Sequence, residues 1–545
     1  MAPDAIVIGA GPNGLVAANL LADRGWKVLV LEAKDQTGGA VKSAEVTEPG
    51  FVTDLFSAFY PLAAASPWIR SLELERWGLE WVRTPVVVAH QHIDGRSAAI
   101  HGDLERTCAS LERDAPGDGE RWRRLYEEWK RVEQPLVDAL FTPFPPVRPA
   151  ARLLNATRSD LLRYARAGVM PVRRLSDERF EGEAGGWLMA GNALHADLTP
   201  DMAGGALFGM VLCGLGQSIG FPFPRGGAGH LTDALVARLE AAGGEIRTDA
   251  PVVEVKVEGG KATGVLMADG SEISCSRAVL ADVLATKLYR EMLPAGSVPE
   301  ELSEDLGNFE LDNSTFKVNW ALDGPIPWVS EESRQAGTVH VAGGMDELSQ
   351  TTAELIRKLV PANPFLIVGQ YAMSDRSRAP EGKESAWAYT HLPQEIEGDA
   401  GEEGLSGAWA GGDAERFAAR IEDRMETVAP GFRDLIRSRT IQTPVDLEES
   451  NPSLVGGALN AGTSQIHQQL VFRPTPGFAG PGTPVRGLFL ASASAHPGGG
   501  VHGGPGANAA RGAINARRYG RIGKAAGLGA AGGLAAAVAL ATRSD

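Results

Sequence analysis

The apolar positions at the start of the chain follow a strand–turn–helix–strand pattern. The uninterrupted run Ala5-Ile6-Val7-Ile8 predicts a buried parallel strand, and residues 15–21 continue with apolar side chains at helical spacing. Gly25 ends this helix, and residues 28–31 predict a second buried strand that closes on Glu32. This pattern is typical of the first βαβ unit of a parallel sheet.

The middle of the chain repeats the change from helical to strand-like spacing. Leu231, Leu235 and Leu239 lie at helical spacing, and the glycine pair 243–244 ends the helix. Residues 251–257 then alternate with period two, a glycine turn follows at 259–260, and residues 262–267 form a second strand. We therefore predict a hairpin here. Further strands are predicted over 314–320 and 364–368.

Near residue 500 the pattern changes to a strand, a glycine loop and a helix. The apolar run 487–491 is followed by Ser494-Ala495-His496-Pro497-Gly498-Gly499-Gly500-Val501-His502-Gly503-Gly504-Pro505-Gly506, and a small-residue helical pattern begins at Ala507. A loop with so few side chains leaves backbone N–H groups free to face a flat or anionic ligand.

Composition narrows the class of protein. A chain of 545 residues predicts two domains, and 43% hydrophobic with 22% charged residues argues against global disorder. The net charge of −16 argues against a nucleic-acid partner, which requires a basic surface. Cys108, Cys213 and Cys275 are far apart, so we predict neither a disulfide framework nor a metal site, and expect an intracellular protein.

The two termini carry further expectations about location. The first strand begins at Ala5 with no signal peptide before it, and no internal segment is apolar over the length of a bilayer. We therefore expect a cytoplasmic protein. In the Ala/Gly-rich tail, 524–545, eighteen uncharged residues lie between Lys524 and Arg543. We favour a disordered or loosely helical tail over a membrane anchor, because alanine and glycine offer little apolar area.

The turn after the first strand, Gly9-Ala10-Gly11-Pro12-Asn13-Gly14, has the spacing of a dinucleotide-binding motif. Gly9 permits the tight turn, Gly11 lets a pyrophosphate approach the backbone, and Gly14 lets the helix pack against the strand. Glu32 stands where a carboxylate accepts hydrogen bonds from the adenosine ribose, which disfavours NADP. We predict that residues 9–14, including Pro12 and Asn13, contact the cofactor, together with Glu32.

The residues after the acid favour FAD over NAD. Ala33 follows Glu32, and Gly38-Gly39-Ala40 comes six residues beyond the acid. This glycine pair resembles the extended motif of the glutathione-reductase-like flavoproteins, where it lies along the FAD pyrophosphate and ribityl chain. The resemblance implies cofactor contacts at Ala33, Gly38, Gly39 and Ala40, and a backbone contact of Val253 with the adenine.

These blocks together resemble the phytoene desaturase and carotenoid oxidoreductase family, nearest to its branch containing pyridine nucleotide-disulphide oxidoreductase domain-containing protein 2. The shared motifs are Gly38-Gly39-Ala40, Pro49-Gly50-Phe51, Arg225-Gly226-Gly227, the block 468–474, and the segment 487–510 around His496-Pro497-Gly498-Gly499-Gly500. The resemblance covers the chain to about residue 520. In one departure, Ala40 stands where many desaturases have arginine, and no redox cysteine pair is present.

The resemblance implies that the loop near residue 500 forms the flavin face. It assigns cofactor contacts to Gly499, Gly500, Val501, Gly504 and Asn508, with FAD bound non-covalently. His496 is the candidate catalytic residue: it either orients substrate or relays a proton. Alternatively, His496 bonds a loop carbonyl and has no chemical role.

The resemblance also implies the fold class, which is α/β. It consists of a Rossmann-like FAD-binding domain of the glutathione-reductase-like superfamily and a mixed α+β substrate domain. The FAD-binding domain is discontinuous, from residues 1–85, 222–290 and 480–523, and the substrate domain takes 86–221 and 291–479.

We expect an FAD-dependent oxidoreductase, a desaturase or dehydrogenase, that acts on a hydrophobic, isoprenoid or polyene substrate by hydride transfer to flavin. Two alternatives remain open: a carotenoid-type ketolase or oxidase, and a non-catalytic flavoprotein scaffold at a membrane. The substrate, the electron acceptor and the oligomeric state stay open, and an oligomer is compatible with the sequence.

One segment, 141–179, is electrically distinct. From Arg148 to Arg179 there are eight arginines against three acids, and an apolar proline-rich loop, 141–147, lies before them. Such a segment suits peripheral docking on the inner face of an anionic membrane. In a eukaryote we expect this membrane to be mitochondrial. The alternatives are a solvated helix packed on its own domain and a subunit contact.

Overall fold

The computed structural model describes residues 2–519, so the predicted tail at 524–545 lies outside the described residues. The strands are β1 Ala5–Ile8, β2 Val28–Leu31, β3 Ser43–Ala44, β4 Thr53–Asp54, β5 Trp81–Val82, β6 Val86–His92, β7 Ser97–His101, β8 Phe223–Pro224, β9 Glu245–Arg247, β10 Val252–Glu258, β11 Lys261–Met267, β12 Glu272–Ser274, β13 Ala278–Ala281, β14 Ser314–Leu322, β15 Ala336–Ala342, β16 Leu359–Val360, β17 Leu366–Gly369, β18 Glu384–Leu392, β19 Gly398–Asp399, β20 Ile436–Gln442 and β21 Leu488–Leu490. The α-helices are α1 Pro12–Ala22, α2 Pro61–Ala65, α3 Pro67–Ser71, α4 Leu104–Glu112, α5 Asp118–Leu140, α6 Val147–Thr157, α7 Leu161–Val169, α8 Val172–Arg179, α9 Ala184–Leu194, α10 Gly205–Ser218, α11 Gly229–Ala241, α12 Ala285–Arg290, α13 Glu300–Asp305, α14 Glu331–Gln335, α15 Met345–Ile356, α16 Asp413–Val428, α17 Pro444–Ser450 and α18 Gly504–Tyr519.

A parallel five-stranded sheet has the order β21-β13-β1-β2-β9. Its strands are continuous apolar runs because both faces are covered. Helices α1, α11 and α18 pack on one face, and the antiparallel sheet β10-β11-β12 covers the other. All five strands fall within the three segments predicted for the cofactor domain, whose exact boundaries stay a prediction.

A second, mixed sheet has seven strands in the order β20-β14-β18-β17-β15-β6-β7. Only β6 and β15 pair in parallel, and the other neighbours are antiparallel. One face packs against α16, and the opposite face packs against α9 and α10. The strands predicted over 314–320 and 364–368 correspond to β14 and β17.

Helix α1 begins at Pro12, three residues before the predicted apolar start at Leu15. Proline suits the first helical position because its missing N–H has no partner there in any case. The predicted hairpin is β10 and β11, and Gly259 and Gly260 both take positive φ in its turn. Among residues 2–519, no helix is long and apolar enough to cross a membrane.

Candidate active site

A cavity of about 1040 Å³ runs from the carboxyl ends of the parallel strands to the wall of the seven-stranded sheet. This volume is at the upper end for a single small-molecule ligand. Binding at the carboxyl ends of parallel strands is the general rule for open α/β sheets. Besides the two sheets, residues 39–42, 56–62, 136–153, 195–212, 252–253, 282–292, 450–470 and 492–502 contribute to its walls.

The predicted dinucleotide loop forms one end of this cavity. Gly9, Gly11, Pro12 and Asn13 line it, at the N-terminus of α1. Gly14 does not line it, but a Cβ there would lie 2.2 Å from the Gly9 carbonyl oxygen. The first N–H groups of a helix have no intrahelical partner and attract anions, so this end suits a pyrophosphate.

Asp282 completes this loop and was missed at the sequence level. It follows β13 directly, and its Oδ2 accepts a 2.8 Å hydrogen bond from the Gly14 N–H. A Cβ at Gly11 would lie 2.7 Å from the same oxygen. Burial raises the pKa of Asp282 to about 7. The available signal was an acid directly after a short buried apolar strand, 278–281.

Glu32 lies at the end of β2 and lines the cavity beside Ala33. Its Oε2 accepts a hydrogen bond from the Ala10 N–H at 2.8 Å, and its Oε1 accepts one from the Lys34 N–H at 3.0 Å. The two bonds hold the buried carboxylate at the cavity wall. Val253, on β10, lines the same end, with its side chain half-exposed.

The glycine pair after Glu32 packs against the dinucleotide loop. Gly38 donates its N–H to the Ala10 carbonyl at 2.8 Å, with φ at +115°. A Cβ on Gly39 would lie 3.0 Å from the Gly11 Cα. Gly39 and Ala40 line the cavity, whereas Gly38 supports the loop from behind.

The C-terminal glycine loop forms a second wall. Gly499, Gly500 and Val501 line the cavity, and α18 begins immediately after the loop at Gly504. Gly504 and Asn508 lie outside the lining, where the Asn508 Nδ2 donates to the His496 carbonyl at 3.3 Å. The helices α1 and α18 pack closely, so the two glycine motifs converge although almost the whole chain separates them.

His496 lines the cavity and is almost fully buried. Neither ring nitrogen forms a hydrogen bond with the described residues, and burial lowers its pKa to about 4. His496 is therefore neutral at neutral pH, and its catalytic role stays a prediction. His502 differs, because its Nε2 lies 3.1 Å from the Gly499 carbonyl and its Nδ1 accepts from the Gly504 N–H at 3.0 Å.

The wall opposite the dinucleotide loop is aromatic and apolar. Phe59 stacks on Tyr371 with ring centroids 5.5 Å apart and meets Phe223 edge-to-face at 5.4 Å. Trp387 and Tyr389 of β18 extend this wall. The carboxylates that line the cavity are at its dinucleotide end: Glu32, Asp282 and Glu291. Within the described residues, no group of His, Cys, Asp and Glu side chains is arranged to hold a metal ion.

A match to a family model defines the class of protein. Residues 13–505 match the family described as flavin containing amine oxidoreductase, and the chain belongs to this family. The predicted fold class and the prediction of a flavin-dependent oxidoreductase are confirmed. Putrescine oxidase, a solved structure, aligns with a TM-score of 0.60 at 17% identity, over 95% of this chain and 99% of that one.

Three relatives extend the comparison. The chain is 28% identical to pyridine nucleotide-disulfide oxidoreductase domain-containing protein 2 of Mus musculus, over 91% of each chain. It is 25% identical to one of the polypeptides of limonene dehydrogenase from Castellaniella defragrans, also over 91% of each. It is 26% identical to phytoene desaturase of Fusarium fujikuroi, over 91% of this chain and 86% of that relative. The predicted resemblance to the phytoene desaturases and to that branch is confirmed.

Proposed function

We propose that the chain binds FAD non-covalently and dehydrogenates a hydrophobic, isoprenoid or polyene substrate. The observation that carries this proposal is the single cavity that joins the dinucleotide loop to an aromatic and apolar wall. When bound, the flavin supplies the redox chemistry by accepting a hydride from a substrate C–H bond. Covalent flavin attachment uses cysteine or histidine; no cysteine lines the cavity within residues 2–519, and His496 stands in a motif that resembles the non-covalent flavoproteins.

The described residues fit this cofactor. Gly11 lines the cavity at the start of α1 and places no side chain there, so a pyrophosphate would have room to approach the backbone, and the buried Glu32 carboxylate suits a ribose. The glycine wall at 499–501 offers backbone and little side chain, as a flat ring requires. The neutral His496 would orient substrate or hold a proton at a ring nitrogen.

The substrate class follows from the remaining walls. Leu136, Leu140, Leu153, Phe208 and Leu212 line the cavity with apolar side chains that exclude water. A protonated amine requires a facing carboxylate, and the lining carboxylates lie at the dinucleotide end instead. The names of two relatives, limonene dehydrogenase and phytoene desaturase, refer to isoprenoid hydrocarbons. We therefore favour dehydrogenation of an isoprenoid over amine oxidation.

Anaerobic reduction of the bound flavin tests this function. Purified holoprotein is mixed with isoprenoid alcohols and hydrocarbons without oxygen, and the visible band of oxidised flavin is followed. Bleaching with formation of a desaturated product supports the proposal. A ketone product would replace it with the ketolase alternative. Colourless protein that FAD does not reconstitute would favour the scaffold alternative.

We also propose a peripheral position on the inner face of a membrane, in the cytoplasm or in a mitochondrion. Helices α6 and α7 expose Val147, Leu154, Leu162 and Val169, with 53–83% of each side chain accessible. The segment 466–472 adds exposed Ile466, Leu470 and Phe472. These side chains surround one mouth of the cavity, since Pro146, Leu153, Gly168, Ile466 and Leu470 also line it.

Ion pairs within the protein reduce the contribution of the arginine charges to this docking. Five of the eight arginines of the segment 148–179 pair with carboxylates of the protein: Arg152, Arg166, Arg173, Arg174 and Arg179. Their charge is therefore largely compensated. Docking would depend mainly on the exposed apolar side chains of α6 and α7.

A further inference from the structure

The wall formed by the seven-stranded sheet carries polar groups that a hydrocarbon cannot use. Thr338 on β15 and Tyr389 on β18 line the cavity, and so does His195 at the C-terminal end of α9. In the strand register, His340 lies opposite Ile367, which lies opposite Tyr389, and Thr338 is two residues from His340 on the same face. The Cα atoms of Thr338 and Tyr389 are therefore about 12 Å apart, and those of His340 and Tyr389 about 10 Å apart, from the spacing of strands and residues in a sheet.

His195 is held in one orientation by a second histidine. Its Nε2 lies 2.8 Å from the Nε2 of His340, and the two rings meet edge-to-face with centroids 5.0 Å apart. His340 is fully buried on the sheet. Burial lowers the pKa of His195 to about 3 and that of His340 well below its usual value, so both rings are neutral at neutral pH. One ring must therefore donate its proton to the other.

The surroundings of His340 decide which ring donates. Its Nδ1 is buried against Gly191 and has no partner among the described residues. An orphaned N–H group is rarer and costlier in a protein interior than an orphaned acceptor, so Nδ1 is unprotonated. His340 then carries its proton on Nε2 and donates it to His195. The proton of His195 consequently lies on its own Nδ1, which makes no hydrogen bond within residues 2–519.

The neighbouring hydroxyl groups have spare hydrogen-bonding capacity as well. Thr338 Oγ1 has no partner among the described residues, and the Tyr389 hydroxyl makes no hydrogen bond within that part of the chain. His195, Thr338 and Tyr389 thus present three donors to one end of an otherwise apolar cavity. Buried polar groups without partners are costly, so a ligand that supplies an acceptor is favoured there.

We propose that the wall of His195, Thr338 and Tyr389 binds a neutral oxygen atom, a hydroxyl or a carbonyl, at one end of the substrate. The substrate class is then an oxygenated isoprenoid rather than a pure hydrocarbon. This inference rests on the proposed function. It adds to that function the chemical group of the substrate that the protein recognises. A carboxylate is disfavoured, because Lys317, the cation near this wall, is buried behind Trp387 and donates to the Asp54 carbonyl.

Ligand binding to the holoprotein tests the inference without turnover. Geranylgeraniol, its deoxygenated hydrocarbon and geranylgeranic acid are titrated against tryptophan fluorescence and the flavin spectrum. We expect the alcohol to bind about fivefold to tenfold more tightly than the hydrocarbon, as one or two added hydrogen bonds predict. We expect the acid to bind more weakly than the alcohol.

Two substitutions locate the effect. His195→Leu and Thr338→Val should each remove most of the preference for the alcohol and leave hydrocarbon affinity within about twofold, while His195→Gln, which keeps a donor, restores part of it. Thr390→Val is the matched control, because Thr390 is a buried, unpartnered threonine of β18 outside the cavity lining.

The outcomes distinguish the inferred oxygen-binding wall from the proposed function. Equal affinity of native protein for alcohol and hydrocarbon overturns the inference and leaves the proposed function standing. If the acid binds most tightly of the three, the inference that the bound oxygen belongs to a neutral group is overturned. Absence of binding by all three isoprenoids overturns the proposed substrate class, and the inference with it.

Discussion

Arg473 and Asp312 both bind the backbone of the cavity-lining loop 459–463: Arg473 binds its carbonyl groups and Asp312 binds its N–H groups. The Arg473 guanidinium donates to the carbonyls of Asn460 at 2.9 Å and Thr463 at 2.8 Å, and Nε donates to Ala493 at 2.9 Å. Asp312 accepts from the N–H groups of Leu459 and Asn460, each at 2.7 Å, and from that of Gly462 at 3.1 Å. The loop beside the glycine wall is therefore held from both sides, by Arg473, which follows Thr463 by 10 residues, and by Asp312, which precedes Leu459 by 147 residues.

This relationship predicts a large effect from removing the guanidinium. Arg473→Met keeps the length of the side chain and leaves several buried carbonyls without donors, so we expect a loss of at least about 3 kcal/mol in the free energy of unfolding. Chemical denaturation measures it. Arg357→Met, at an exposed arginine, serves as the control and should change stability by less than about 0.5 kcal/mol. Equal effects of the two substitutions would contradict this role of Arg473.

The dinucleotide loop predicts the result of adding one methyl group. Gly14→Ala places a Cβ 2.2 Å from the Gly9 carbonyl oxygen, so the turn must shift and flavin affinity should fall by at least about tenfold. Flavin content after purification and titration of the apoprotein with FAD measure this. Gly102→Ala is the control, because nothing lies within 4 Å of its Cβ and its φ is not positive. Normal flavin content in Gly14→Ala would refute the assigned close packing.

Asp282 predicts a dependence of stability on pH. Its pKa is about 7 in the folded protein against 3.8 for the ordinary group, so between these values the folded state binds more protons than the unfolded state. Stability from this group is therefore present below about pH 4 and is lost as pH rises through about 7. Thermal unfolding across this range should show a smaller decline in Asp282→Asn than in native protein.

Glu384 provides a comparison, since burial raises its pKa to about 7 as well, although it lies outside the cavity lining. Glu384→Gln should reduce the same decline without altering flavin affinity. Asp282→Asn should alter flavin affinity, because it touches the Gly14 N–H. An unchanged pH profile in Asp282→Asn would disprove the assignment to this carboxyl.

The proposed membrane docking predicts a defect from one charged substitution. Leu162 is 83% exposed on α7, and Leu162→Asp should weaken co-sedimentation with anionic vesicles about tenfold by removing apolar contact and adding repulsion. Ile356→Asp is the matched control, since Ile356 is 70% exposed at the end of α15. Native protein that does not bind vesicles, or equal binding by both variants, would count against docking through α6 and α7.

The dinucleotide site was predictable because its determinants are local. Gly9, Gly11 and Gly14 are spaced by the turn itself, and Glu32 by the length of one helix and one strand. The glycine loop at 499–501 was predictable only through family resemblance, since spacing alone does not place it beside α1. Asp282 and Asp312 were not predictable, because each acts on backbone groups far away in the chain.

The sequence by itself determined the first βαβ unit, because short-range patterns of apolar residues and glycines encode it, and its motifs implied the α/β class and the flavin family through resemblance to known proteins. Tertiary structure alone decided that His195 meets His340, that Thr338 and Tyr389 share one wall, and that most arginines of the basic segment are paired. Such contacts depend on the packing of α9 and α10 on the seven-stranded sheet. Long-range packing brings these side chains together, and no short-range pattern of apolar residues in the sequence encodes that packing.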